Sequence, residues 1–203
     1  MPGFADLRSE LLALLAAKSV KRGNFTLASG ARSDFYIDAK LTTLDPRGAI
    51  LVGRVGWEVL KQTAAERKAR IDAIGGLTMG ADPFALSIGI AAQHDEPENT
   101  LQTFSVRKEA KKHGRHKLIE GNFAPGDLVV VVDDVSTTGG STIQAIEAVE
   151  AAGGAIAFVL VLVDREEGGR ANIEQRGYSV VPIFTRSDVL AAEAGTRPPP
   201  ETA

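Results

Sequence analysis

Leu128-Val129-Val130-Val131-Val132-Asp133-Asp134-Val135-Ser136-Thr137-Thr138-Gly139-Gly140-Ser141 is the stretch on which the fold turns. Four consecutive valines leave no polar face, so the segment reads as a strand covered on both sides, as in a parallel sheet flanked by helices. Two acids stand at its carboxyl end, and open α/β sheets bind ligands just outside the carboxyl ends of their strands. The hydroxyls and glycines that follow open a helix and can aim backbone N–H groups at an anion, aided by the helix N-terminus. Asp133 and Asp134 cannot hold that anion themselves; they suit a ribose diol or a hydrated Mg²⁺ beside it. A site for a phosphorylated sugar follows. A plain βα turn would need one capping Asp or Ser, not this succession of polar residues. The chain contains no G-x-G and no G-x-x-x-x-G-K, which removes the dinucleotide fingerprint and the P-loop.

On the carboxyl side, a helix over 142–152 is stopped by Gly153-Gly154, and Ile156 to Val163 is a second apolar strand ending at Asp164-Arg165. A helix near 170–176, a strand from Ser179 to Phe184 and a last helix from Ser187 follow. On the amino side, Asp45-Pro46 is a cap-plus-first-turn signal for a helix to about Lys61. Ile71 to Gly76 is a short strand, and Asp82-Pro83 starts a helix through about Ala92. Residues 101–106 and 117–123 form two arms around a basic stretch. Asn24 to Leu44 is a small β region with a turn at Ser29-Gly30 and a strand Phe35 to Asp38. Asp6 caps a first helix to about Lys18, with leucines at 7, 11, 12, 14 and 15. Strands alternate with helices from residue 45 onward, so the fold class is α/β, a mainly parallel sheet with right-handed crossovers. One domain is predicted over 1–195, with a hood of about 1–44 capping the sheet's edge and a core of about 45–195. The segment 196–203, Pro-rich at Pro198-Pro199-Pro200, is expected to be a disordered tail.

With 203 residues, 44% of them hydrophobic, the chain can bury one full core. A net charge of −3 does not suggest a nucleic-acid surface. The absence of cysteine removes thiol and disulfide chemistry, and His94, His113 and His116 have no zinc-site company. No apolar run reaches membrane-spanning length. A cytoplasmic protein with neither a nucleic-acid nor a membrane partner is expected.

One segment breaks the acidic balance. Residues 107–117 hold six Lys or Arg and two His against Glu109 alone. Such a run is commonly a solvated face. A mobile loop of this composition can also stabilise a departing anion and exclude water.

The order of strand, paired acids and Thr/Gly-rich loop over 128–141 resembles the phosphoribosyl-diphosphate (PRPP) signature of the type I phosphoribosyltransferases. Within that fold family, Arg107-Lys108-Glu109-Ala110-Lys111-Lys112-His113-Gly114 is similar to the R-K-x-x-K-x-H-G loop of orotate phosphoribosyltransferases. Phe25 to Tyr36 is similar to their F-T-L-x-S-G-x-x-S-x-Y/F-Y segment, and Asp164 to Gly169 to their D-R-x-E-x-G turn. The four motifs span roughly residues 20–186 in the family's order. The resemblance implies the type I phosphoribosyltransferase fold with a small N-terminal hood. It also implies a Mg²⁺-dependent transfer of ribose 5-phosphate from PRPP to orotate, giving orotidine 5′-monophosphate and diphosphate in pyrimidine synthesis.

By the same resemblance Lys111, Asp133 and Asp134 are catalytic. PRPP would be bound by Arg107, Lys108, Lys111, His113, Asp133, Asp134, Val135, Ser136, Thr137, Thr138, Gly139, Gly140 and Ser141. Orotate would be read by Thr137 and Arg165, whose guanidinium fork suits a carboxylate. Taken alone, Arg165 reads as a surface arginine paired with Glu166 or Glu167. Phe35 or Tyr36 either stacks on the pyrimidine or is a core aromatic. No dedicated metal ligand is implied; Asp134 would touch Mg²⁺ through water. A homodimer is implied, with the 107–116 loop acting in the neighbouring subunit's site.

The chain departs from the better-known branch at two points. Ala28 stands where a lysine is frequent, and Gly75-Gly76-Leu77-Thr78-Met79-Gly80-Ala81-Asp82-Pro83 lacks a second lysine. Backbone N–H groups of that segment, or Lys21, are the available substitutes. Three rivals share the PRPP loop. A purine phosphoribosyltransferase is disfavoured by 107–114 together with Arg165; a PRPP-sensing nucleic-acid regulator by the acidic balance; a non-catalytic nucleotide-binding module by the intact basic loop.

Overall fold

The structure, a computed structural model, describes residues 3–26, 32–109 and 118–196. The valine run lies in β6 (Leu128–Ser136), at the centre of the sheet between β3 (Ala73–Leu77) and β7 (Ala155–Asp164). The sheet is completed by β4 (Gln102–Val106), β5 (Ile119–Gly121) and β8 (Val180–Thr185), in the order β5-β4-β3-β6-β7-β8. Every pairing is parallel except β4 with β5. The two arms around the basic stretch are therefore an antiparallel pair at the sheet's edge.

Alternation along β6 splits its valines between two cores. Val130 and Val132 pack with α1 (Phe4–Ser19), α3 (Pro46–Glu66), α4 (Ala81–Asp95) and α7 (Arg186–Thr196). Val129 and Val131 face the opposite layer, α5 (Gly140–Ala151) and α6 (Gly169–Glu174). All four are at most 1% exposed, each contributing roughly 2 kcal/mol of apolar burial. Such a strand cannot show a polar face, which is why its sequence is unbroken valine.

An antiparallel hairpin, β1 (Val20–Thr26) and β2 (Arg32–Ile37), and the short helix α2 (Lys40–Thr43) lead into α3. Asp45 caps α3, its carboxylate accepting the Gly48 N–H at 2.9 Å, with Pro46 in the first turn. α3 continues to Glu66, past the expected Lys61. Asp6 is not the N-cap of α1: Gly3 holds that position, and Asp6, three residues on, accepts the Gly3 N–H. Nor does α1 cap the sheet's edge. Leu7, Leu11 and Leu15 are buried in the same core as Val130 and Phe84, so α1 belongs to a helical layer. Asp82 was expected to start a helix and lies in the first turn of α4, with Gly80 as the preceding cap. Among the described residues no helix is long and apolar enough to cross a membrane.

Candidate active site

Parallel strands put the ends of β3, β4, β6 and β7 on one edge. Register pairs Ser136 of β6 with Asp164 of β7, and the Arg165 N–H donates to Ser136 O at 2.9 Å. The strand that carries the two acids is thus locked to the one that carries the arginine.

Asp133 is buried, and its Oδ2 accepts the Thr142 hydroxyl of α5 at 2.8 Å. Burial, reinforced by the charge of Asp134, pushes its carboxyl up to about 7. Asp134 is also raised by burial, against the attraction of Lys40, and accepts the Val135 N–H at 3.0 Å. Two adjacent carboxyls short of counter-charge suit a cation or a developing positive charge.

The loop after β6 turns on Gly139, whose φ of +79° starts α5. A Cβ there would stand 2.9 Å from Gly169 O. Gly169 itself lies against Ser136, Thr137 O and Gly139 N, so the β7–α6 turn buttresses the loop after β6. Asn172 Nδ2 donates to Thr138 O at 2.9 Å and ties α6 to the same loop. Thr138, Gly140 and Ser141 are exposed and Thr137 is half-buried. The Ser136 hydroxyl is buried beneath Gly169 without a hydrogen-bond partner among the described residues.

The β3–α4 loop contains a cis peptide between Thr78 and Met79. Asp82 holds it, accepting the Thr78 hydroxyl and the Ser105 hydroxyl of β4, each at 2.6 Å. Gly80 is pressed against Asp134, and a Cβ there would collide with Asp134 Oδ1. The glycine-rich segment therefore brings backbone, and no side chain, to the acids.

Arg107 directly follows β4, its guanidinium 3.8 Å from Glu120. Lys108 is exposed, and its carbonyl accepts Gln144 Nε2 of α5 at 2.9 Å, anchoring the base of the basic loop beside α5. Lys111 and His113 lie outside the described residues. Arg165 is far from a surface arginine: it is 2% exposed, 2.9 Å from Glu167 Oε1, with its guanidinium carbon 5.7 Å from the Phe35 ring centre. Its Nε is buried without a hydrogen-bond partner among the described residues. Phe35 is buried under the hairpin, whereas Tyr36 is 37% exposed and stacks near Phe25. Of the two aromatics, Phe35 is the core residue.

No protein-family model matches the chain. The orotate phosphoribosyltransferase of Rhodopirellula baltica is 41% identical over 178 residues, covering 88% of this chain and 91% of the relative. That of Streptomyces coelicolor is 45% identical over 171 residues, 84% of this chain and 90% of the relative. The chain belongs to the orotate phosphoribosyltransferases. The Mycobacterium tuberculosis orotate phosphoribosyltransferase superposes with a TM-score of 0.76 at 37% identity, covering 90% of this chain and 98% of that one. A structure of the same mycobacterial enzyme in complex with PRPP gives a TM-score of 0.71 at 32% identity, over 93% of both chains. The adenine phosphoribosyltransferase of Saccharomyces cerevisiae, at 19% identity and a TM-score of 0.62, shares the fold alone.

For an orotate phosphoribosyltransferase, two groups at this edge escaped the sequence reading. Lys40 pairs with Asp38 at 2.9 Å just after β2, and its charge acts on Asp134. Asp82 clamps two hydroxyls instead of merely opening a helix. Neither carries a local signal, because each partner comes from a different element. A groove of about 740 Å³, lined by Phe4, Ile50, Trp57 and Ile90 among others, lies between α1, α3 and α4. It is built from none of the residues expected to bind substrate.

Proposed function

We propose that this orotate phosphoribosyltransferase binds PRPP across residues 133–141 and performs the transfer there, with residues of the 107–116 loop completing the site. The observation that carries the proposal is the run of β6 into α5: two buried acids followed directly by a loop that starts its helix on Gly139. The exposed Thr138, Gly140 and Ser141 at the start of α5 suit the 5′-phosphate. Asp133 and Asp134 face the ribose, where carboxylates short of counter-charge stabilise positive charge building at C1. The bond from C1 to the diphosphate oxygen breaks with its electron pair leaving on diphosphate. The C1–N1 bond forms, and the orotate N1 proton passes to solvent or to the released diphosphate. Arg107, Lys108, Lys111 and His113 are proposed to hold the departing diphosphate.

Arg165, with Thr137, is proposed to read orotate. Its buried, incompletely bonded guanidinium supports this, since an orotate carboxylate would satisfy Nε. A hydrated Mg²⁺ fits the same edge: the acids lack counter-charge, and Asp134 would reach the ion through water. When bound, the ion would neutralise the diphosphate charge. Among the described residues no cluster of three or more His, Asp or Glu could cage it, so its ligands would come mainly from substrate.

A homodimer sharing the loop across subunits is part of the proposal, and so is a cytoplasmic setting. Leu44, Ile50, Met79, Leu86 and Ile90 are each more than half exposed on or beside α2, α3 and α4, an apolar face that a second copy would cover.

The test is orotate consumption by the purified protein with PRPP and Mg²⁺, beside parallel reactions with hypoxanthine, adenine and uracil. Loss of orotate alone with diphosphate release is expected, together with a severe loss of turnover in Lys111→Ala. Near-normal turnover in that variant would remove the loop from the mechanism.

A further inference from the structure

A protein cation can reach Asp134 at the carboxyl edge of the sheet from few places. Gly80 closes one route, because any side chain at that position would collide with Asp134 Oδ1. Arg165 closes another: its guanidinium is buried against Phe35 and within 2.9 Å of Glu167. The exit of the hairpin leaves a third. After β2 the Asp38 N–H donates to Ser19 O at 2.9 Å, which extends the hairpin ladder by one pair, and Lys40 begins α2.

Lys40 Nζ lies 2.9 Å from Asp38 Oδ1, with 38% of the side chain exposed. Its charge and that of Asp134 act on each other, and Asp38 acts on Asp134 as well, so the three form one cluster. Lys21 sits farther out, 4.0 Å from Asp38 Oδ2 and half exposed. An ammonium has three N–H donors. The ion pair with Asp38 holds the head group on one side, and the exposed side of Lys40 has donors left for an anion.

We infer that Lys40 is a catalytic residue of this chain, the ammonium that touches the diphosphate oxygen as it leaves the ribose C1 beside Asp134. The inference rests on the assignment of residues 133–141 to PRPP. In the step itself, the C1–O bond breaks and its electron pair moves onto the diphosphate oxygen. The orotate N1 supplies the pair that forms the C1–N1 bond, and the N1 proton leaves to solvent or diphosphate. Lys40 keeps its own proton throughout and donates hydrogen bonds to the oxygen on which charge grows. Donors aimed at developing charge in a site of low dielectric are among the largest catalytic contributions. Asp38 is then a positioning residue, since it acts only through Lys40.

The experiment compares Lys40→Met, Lys40→Gln and Lys40→Arg with the parent in both directions: orotate with PRPP, and orotidine 5′-monophosphate with inorganic pyrophosphate. Thermal melts confirm folding, and Lys40→Gln replaces Lys40→Met if the latter melts early. Neutral variants are expected to lose about 100-fold in kcat in both directions, with the KM for PRPP little changed. Lys40→Arg, which keeps the charge, is expected to recover most of that loss. Neutral variants within about twofold of the parent would overturn the inference. So would a loss confined to KM, or an arginine variant no better than methionine, because either would mark a binding or structural role. Asp134→Asn, assayed in parallel, separates the two layers: inactivity there with active Lys40 variants defeats only Lys40, whereas full activity there defeats the PRPP assignment beneath it.

Discussion

Asp133 holds its proton to about pH 7 because burial beside Asp134 disfavours its charge. The unfolded chain releases that proton near the usual 3.8. Between these values the folded state binds the extra proton, so stability falls as pH rises and levels off above about 7. The full cost is on the order of 4 kcal/mol. Asp133→Asn should therefore unfold at higher urea than the parent at pH 8, in magnesium-free buffer, and at nearly the same urea at pH 4. Equal midpoints at pH 8 would mean that Asp133 is not strained. Turnover in the variant should fall at pH 8, where Asp133 is ionised and is proposed to act on the ribose. Gly139 shows the opposite economy. Its φ of +79° and the Gly169 carbonyl, 2.9 Å from where a Cβ would stand, leave no room for a side chain. Gly139→Ala should cost at least about 1–2 kcal/mol in a thermal melt and raise the KM for PRPP; an unchanged melt would show that the loop relaxes freely.

Elements reach the site by being tied to one another. Asn172 of α6 holds Thr138, Gln144 of α5 holds the Lys108 carbonyl, and Asp82 of α4 joins the β3 loop to β4. Hydrogen bonds to a charged acceptor are worth about 1.5–3 kcal/mol each. Asp82→Ala removes two of them, one from Thr78 and one from Ser105 of β4, and so frees the Thr78–Gly80 segment from β4. Its expected effect is a rise of about tenfold in the KM for PRPP, read by initial rates, with the secondary structure unchanged by circular dichroism. A KM equal to the parent's would show that this segment does not meet PRPP. Elements were legible where one period dominated: β6 by its valines, α3 by Asp45-Pro46, α5 by the glycines at both ends. Helix starts were misplaced where the cap was backbone alone, as with Gly3 before α1 and Gly80 before α4.

At the scale of the whole molecule the unpartnered face of α3 and α4 matters most. Ile50 and Ile90 are 63% and 52% exposed and line the same 740 Å³ groove. Ile50→Glu/Ile90→Glu should shift sedimentation from dimer to monomer and lower activity with it. A parent that sediments as a monomer would refute the shared site outright. Mixing gives a second check. A Lys111→Ala subunit combined with one carrying Asp133→Asn and Asp134→Asn should recover activity in one site of each heterodimer; no recovery in proven heterodimers would assign the loop to its own subunit.

From the sequence alone came the α/β class, the central doubly buried strand, the acids at its end, the glycine-rich loop that opens the next helix and the orotate phosphoribosyltransferase resemblance. These are local: each is written in the periodicity or spacing of neighbouring residues, and burial on two faces forces the valines wherever the strand sits. Tertiary structure decided what packs across elements. It set α1 into a helical layer, buried Arg165 between Glu167 and Phe35, pressed Gly80 onto Asp134, and brought Lys40 round to the acids from the far end of a hairpin. A lysine two residues after an aspartate has no preferred destination in one dimension. Asp134, on which its charge acts, is ninety-four positions away, and only the tertiary fold brings the two within range of each other.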